Sequence, residues 1–250
     1  AQSLARLAPL HLVLRYHDQH VVDYYERLLA MIGVRVQERQ LELATDRQDG
    51  RVVDQLLDQL VGDRGAAPLV GIVPAGGISW GQQANYRRWP PEGFAHVGRA
   101  LGQRYGARML LFGERNDQPV CRAIAQAIGE TAIDLSGRTT LGQFVQFVSR
   151  CAVIIANDGG PIHIAASQGV RTVSIFGPVD PTVYGPYPPS PRHQIVFRAD
   201  LPCRPCYHRF RLPPCPYERG CLSTLEPAEV LEACERALQD DARAPGLVHA

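Results

Sequence analysis

The chain has 250 residues, is 45% hydrophobic and carries a formal net charge of +1. That is enough for one large or two small cores, and too balanced for bulk electrostatics to recruit a nucleic acid. No apolar run approaches the roughly 20 residues of a membrane span, and seven cysteines are too sparse for a secreted disulfide scaffold.

All 26 basic residues are arginine, so a side-chain cation that meets a phosphate must be a guanidinium, which binds such oxygens bidentately. The opening AQSLARLAPLHLVL has neither an initiator Met nor the layout of a signal peptide, and reads as a start inside a longer protein. DQHVVDYYERLLAMIGV (18–34) has helical spacing, with Asp18 able to cap its start and Gly33 its end. Helix-start chemistry accounts for His17-Asp18-Gln19-His20 better than a metal motif does. A second helix is expected at 49–62 and a linker at 62–68.

From Leu69 the texture changes. Buried-strand patterns occur at 69–74, 107–113, 152–157 and 171–177, with weaker ones at 132–137 and 194–198. Helical stretches lie between them, and PAEVLEACERALQ (227–239) forms a closing helix. Such alternation predicts an α/β fold: a Rossmann-like parallel sheet with helices on both faces. The proline-rich PTVYGPYPPSP (181–191) is expected to be an ordered loop.

In an open α/β sheet ligands bind beyond the carboxyl ends of the strands, and three loops are expected there. In PAGGISWGQQANYRRWP (74–90), Gly76 and Gly77 let amides approach an anion. Arg87 and Arg88 can reach its oxygens; a solvated surface loop is the alternative. In FGERND (112–117), Glu114 or Asp117 can accept from ribose hydroxyls, though Asp117 also suits a helix cap. In ANDGGPIHIAASQG (156–169), Asp158 ends a strand and Gly159 and Gly160 open a helix whose free N–H groups favour an anion. Pro161 wastes no N–H in that first turn, and His163 can point into the same space. A helix cap and a core histidine would account for Asp158 and His163 singly; together with two glycines they favour a diphosphate site.

These segments carry a resemblance. NDGGPIHIAASQGVRTVSIFGPVDPTVYGP resembles the signature of glycosyltransferase family 9, the ADP-heptose:lipopolysaccharide heptosyltransferases. PAGG…YRRWPPEGFAHVGRAL, DLSGRTTLGQF and LPCRPC…CPYERGCLSTLEPAEV resemble its other motifs in order, over about 69–238. The resemblance implies the C-terminal, donor-binding half of a GT-B fold. Residues 1–66 would be a remnant of the N-terminal domain with the interdomain segment, and 67–250 the nucleotide-sugar domain. It further implies that Asp158, Gly159, Gly160 and His163 contact the donor and that Arg87 replaces a phosphate-binding lysine. Gly159 stands where the family has Ser or Thr, so a hydroxyl contact is lost. The family's catalytic Asp has no counterpart, so no catalytic residue is expected in this chain. The implied function is the donor half of an inverting transferase that moves heptose, or a related sugar, from an ADP-heptose-like donor to a lipopolysaccharide or other glycolipid acceptor. No cofactor would be required. The setting would be cytoplasmic, with peripheral contact at the inner membrane.

Cys203, Cys206, Cys215 and Cys221 fall within nineteen residues. In a reducing compartment that spacing suits a structural zinc; free thiols or disulfides are the alternatives. Cys121, Cys151 and Cys234 are expected in the core. Arg204, His208, Arg209, Arg211 and Arg219 surround the cluster and read as a solvated loop or as contacts to an anionic acceptor. Two other functions compete: a non-catalytic, zinc-stapled interaction domain, and a GT-B epimerase, against which the Asn-Asp-Gly-Gly-Pro-x-His run followed by Phe-Gly-Pro argues.

Overall fold

A computed structural model describes residues 19–62, 67–75, 81–207 and 211–239. Two helices precede the sheet. In α1 (Val21–Met31) His20 is the N-cap: its Nδ1 accepts from the Val22 N–H at 3.2 Å. Asp18, the expected cap, lies outside the described residues. Helix α2 (Arg47–Val61) is capped by Asp46, whose carboxylate accepts from the Gln48 N–H at 2.8 Å.

The rest alternates strand and helix. The strands are β1 (Leu69–Val73), β2 (Arg108–Leu111), β3 (Ala132–Asp134), β4 (Val153–Asn157), β5 (Arg171–Ile175) and β6 (His193–Val196). After β1 comes a 3₁₀ turn (Gly81–Arg87), then α3 (Pro91–Tyr105), α4 (Gln118–Ile128), α5 (Leu141–Val148), α6 (Gly160–Ser167), α7 (Pro181–Tyr184), α8 (Gly220–Ser223) and α9 (Pro227–Gln239). The two weak strand patterns are real strands, β3 and β6, at the two edges of the sheet.

The described residues form a six-stranded sheet in the order β3-β2-β1-β4-β5-β6, parallel at every pairing. Strands buried on both faces need no polar alternation, and β1, β4 and β5 are buried along their whole length. Their side chains still divide by a period of two. Val70 and Ile72 join a core with Phe94, Val97 and Leu101 of α3, Cys121 and Ile124 of α4, and Val230 and Cys234 of α9. Leu69 and Val73 join the opposite core with Val53 and Leu57 of α2, Phe147 of α5 and Ile162 of α6. Helix α2 lies within the span read as an N-terminal remnant, yet it packs into the core of the 67–250 unit.

Strand order reverses direction between β1 and β4. The connections on either side diverge there and leave a crevice beyond the carboxyl ends. Among the described residues no helix is long and apolar enough to cross a membrane.

Candidate functional site

Strand β4 delivers two buried polar residues, Asn157 and Asp158, into the crevice. Asn157 accepts from the Trp89 N–H at 2.9 Å and donates its amide to the Pro74 carbonyl. One side chain thereby ties both ends of the 74–89 segment to the end of β4. Trp89 is itself fixed. Its indole N–H donates to the Leu225 carbonyl at 3.1 Å, and its ring meets Phe94 edge-on at 5.0 Å. Gly93 makes this possible: a Cβ there would stand 2.4 Å from the Trp89 ring. The Trp-Pro-Pro-Glu-Gly run is thus a packing unit that anchors the preceding turn.

That turn ends on Arg87, which reaches across the crevice to Asp158. Its Nη2 lies 2.8 Å from the carboxylate, Nε donates to the carboxylate at 3.1 Å, and Nη2 also donates to the Asp158 carbonyl at 2.6 Å. Burial pushes the Asp158 carboxyl above its ordinary range, and the Arg87 charge pulls the other way. Gly159 then leads into α6. Its N-cap is Gly159, which has no side chain to cap it, and Pro161 occupies its first turn. Gly160, where α6 opens, lines the crevice, and the first N–H groups of a helix have no partner within it. His163 lines the same small cavity as Gly159 and Gly160. Burial, then the charges of His20 and Arg87, push its imidazole below the usual histidine range, so it is neutral at neutral pH.

Two cavities meet at this helix start. The larger, about 840 Å³, has apolar walls from Phe112, Phe144, Leu141 and Ile164, with Glu114 exposed at its side. The smaller, about 210 Å³, is lined by Arg87, Asp158, Gly159, His163 and two tyrosines, Tyr184 and Tyr207. Gly160 lines both.

Of the residues expected from sequence, the structure brings Arg87, Asp158, Gly159, Gly160 and His163 together and places Glu114 in the adjoining cavity. Gly76 and Gly77 lie outside the described residues. Arg88 does not line either cavity: its Nε donates to the Ala75 carbonyl at 2.6 Å, its Nη2 stands 3.6 Å from Asp117, and it borders a separate hollow beside Trp89. Arg88 follows the 3₁₀ turn, and its bonds to Ala75 and Asn85 with the nearby Asp117 hold it away from the crevice that Arg87 enters. Asp117 is buried and accepts from the Glu114 N–H at 2.9 Å, a local structural role.

All seven cysteines are free thiols, and Cys121, Cys151 and Cys234 are buried as expected. Among the described residues no group of three or more His, Cys, Asp or Glu side chains is arranged to hold a metal ion. The Cys215 sulfur accepts from the Arg219 N–H at 3.3 Å. Arg204 is not a solvated residue. It donates to the carbonyls of Gly177 (2.5 Å), Arg198 (2.9 Å) and Val179 (3.2 Å). His208 and Arg209 lie outside the described residues.

Sequence reading missed Asn157, Tyr184 and Tyr207. Asn157 was visible as a polar residue ending an apolar strand; the tyrosines carried no local signal.

A doubly covered parallel sheet, with its ligand crevice at the strand-order reversal, defines a Rossmann-like domain of the GT-B kind. The chain belongs to glycosyltransferase family 9 (heptosyltransferase), whose model matches residues 4–214. It is 30% identical over 182 residues to lipooligosaccharide heptosyltransferase 2 of Campylobacter jejuni, covering 71% of this chain and 53% of that protein. Among solved structures it is similar to a family 9 glycosyl transferase from Veillonella parvula (TM-score 0.73, 24% identity, 91% of this chain and 62% of that one). It is also similar to E. coli heptosyltransferase WaaC with ADP (TM-score 0.57, 18% identity, 88% and 57%). The chain spans about half the length of the curated relatives it matches.

Proposed function

We propose that this chain is the donor-binding half of an inverting glycosyltransferase that transfers heptose, or a closely related sugar, from an ADP-sugar to a lipopolysaccharide-type acceptor. The observation that carries this reading is the meeting of two unlike cavities at one uncapped helix start. A nucleoside has an apolar base and a ribose. The larger cavity offers Phe112, Phe144 and Ile164 for the first and Glu114 as an acceptor for the second. A diphosphate needs positive potential without bulk, which the α6 amides and the Arg87 guanidinium supply. The sugar then falls into the smaller cavity beside His163.

In the transfer itself, charge grows on the departing diphosphate as the anomeric bond breaks. Amides and a guanidinium already aimed at that position stabilise it without reorganising. The attacking hydroxyl also needs a base. Asp158 is the one acid among the described residues lining the smaller cavity, and Arg87 holds it through three contacts. It is a structural partner rather than a base. The base is therefore supplied from outside this half, as is the acceptor site, in a cytoplasmic setting at the membrane surface.

Calorimetric titration of the chain with ADP and ADP-heptose tests the reading. Both are expected to bind at one site, with ADP displacing the sugar nucleotide. Failure of both to bind removes the assignment.

A further inference from the structure

The smaller cavity has two kinds of wall. One belongs to the phosphate machinery: Arg87, Asp158 and the start of α6. The other is uncharged, made by Val179, Tyr184 and Tyr207. Tyr184 and Tyr207 meet edge to face, ring centres 6.0 Å apart at 61°. Tyr207 comes from the segment just after the first cysteine pair, far along the chain from every motif that forms the rest of the site.

That segment is held in place with unusual thoroughness. The N–H groups of Cys206 and Tyr207 both donate to the Pro178 carbonyl, at 3.0 and 3.2 Å. Two residues earlier Arg204 spends its guanidinium on the carbonyls of Gly177, Val179 and Arg198, and it lies 4.6 Å over the Phe197 ring. Every one of these anchors is in the loop after β5 or just beyond β6. The loop that supplies Val179 and leads to Tyr184 is therefore clamped to the segment that supplies Tyr207. The Tyr207 phenol is pushed above its usual range by burial, with the charges of Arg87 and Asp158 also acting on it. Tyr207 lines the same small cavity as the Arg87–Asp158 ion pair.

We propose that Tyr207 is a specificity-determining residue for the sugar ring of the donor, and that the cysteine-bearing segment 203–207 serves to present it. This rests on the donor-binding reading above. Uncharged aromatic walls contribute little to a diphosphate, but they match the apolar C–H face of a pyranose, and a phenol can both donate to and accept from its hydroxyls. The arrangement separates the work. Arg87 and α6 hold the part common to ADP and an ADP-sugar, while Tyr207 and Tyr184 hold the part that only the sugar nucleotide has.

The experiment is paired titration of parent, Tyr207→Phe and Tyr207→Ala with ADP and with ADP-heptose. Tyr207→Ala is expected to bind ADP as the parent does and ADP-heptose roughly tenfold more weakly, a difference of about 1.4 kcal/mol. Tyr207→Phe should fall between. Should Tyr207→Ala melt far below the parent, Tyr207→Leu, which keeps an apolar filler, takes its place. Equal weakening toward both ligands, or no change toward either, overturns the proposal. If the parent binds neither ligand, the donor-binding reading itself fails, and this proposal falls with it.

Discussion

The two walls of the small cavity are built by opposite means. The α6 wall is regular structure: β4 pairs with β1 and β5 along its length, and the helix follows it directly. The tyrosine wall is one short helix end and loop, held by the Arg204 guanidinium and by two backbone bonds to Pro178. The ladder wall is redundant, because many backbone bonds must fail together before it moves. The loop wall hangs on a few named groups, so single substitutions should move it. The comparison teaches where precision in this site comes from, and each of the following measurements bears on one side of it.

The largest effect is expected at the ion pair within the first wall, between Arg87 and Asp158. Arg87→Ala leaves the buried Asp158 carboxylate without its partner, and should cost about 3–5 kcal/mol of stability. Urea unfolding would show this, and Arg87→Ala with Asp158→Asn should recover part of the loss. Next is Arg204→Ala, which strips three carbonyls of their donor and should cost about 2 kcal/mol. Its sharper signature is a drop in ADP-heptose affinity with ADP affinity held; equal losses would show that the loop wall is not separate. Gly160→Asp tests the regular wall. A Cβ there meets nothing within 4 Å, and an acid at a helix start gains about 0.3–1 kcal/mol. Thermal stability should hold or rise while ADP binding falls at least about tenfold, since the new carboxylate opposes the diphosphate.

At neutral pH the smallest effect is that of the buried histidines, and it grows only as the solution is acidified. His193 on β6, beside the Thr172 hydroxyl at 3.1 Å, is pushed down to about 4 by burial and by Arg192. A histidine depressed in the folded state takes up its proton first when unfolded. Its contribution is thus present above the ordinary value near 6.5 and is lost as pH falls toward 4. His163 acts in the same sense. The unfolding midpoint should decline below pH 6.5, and His193→Gln should flatten that decline.

The regular wall was readable in the sequence because its residues are neighbours. Asp158, Gly159, Gly160 and His163 lie within six positions, and a strand followed by a helix places them with no further information. The sheet was readable for a similar reason: strands covered on both faces appear as short β-branched runs, and even the edge strands β3 and β6 kept enough of that texture. Arg88 misled because adjacency in sequence suggests a shared direction, whereas the Ala75 carbonyl and Asp117 draw it to the other side of Trp89. Tyr184 and Tyr207 were not readable at all. They are separated by the whole of β6, and what unites them is the guanidinium of Arg204, which by composition looked like one more solvated cation. The cysteine spacing invited a metal, but the segment takes its shape from backbone bonds to Pro178 and from Arg204 instead.

The amide of Asn157 has a consequence for how such a protein can change. By gripping Pro74 and Trp89 together, it closes the intervening stretch at its base, as a knot closes a noose. Lengthening a noose adds a closure penalty that grows only with the logarithm of its length, and the knot stays where it was. New residues added inside it would leave Arg87 aimed at the same point. The stretch between Pro74 and Trp89 is free to diversify while the hold of Arg87 on Asp158 is inherited unchanged.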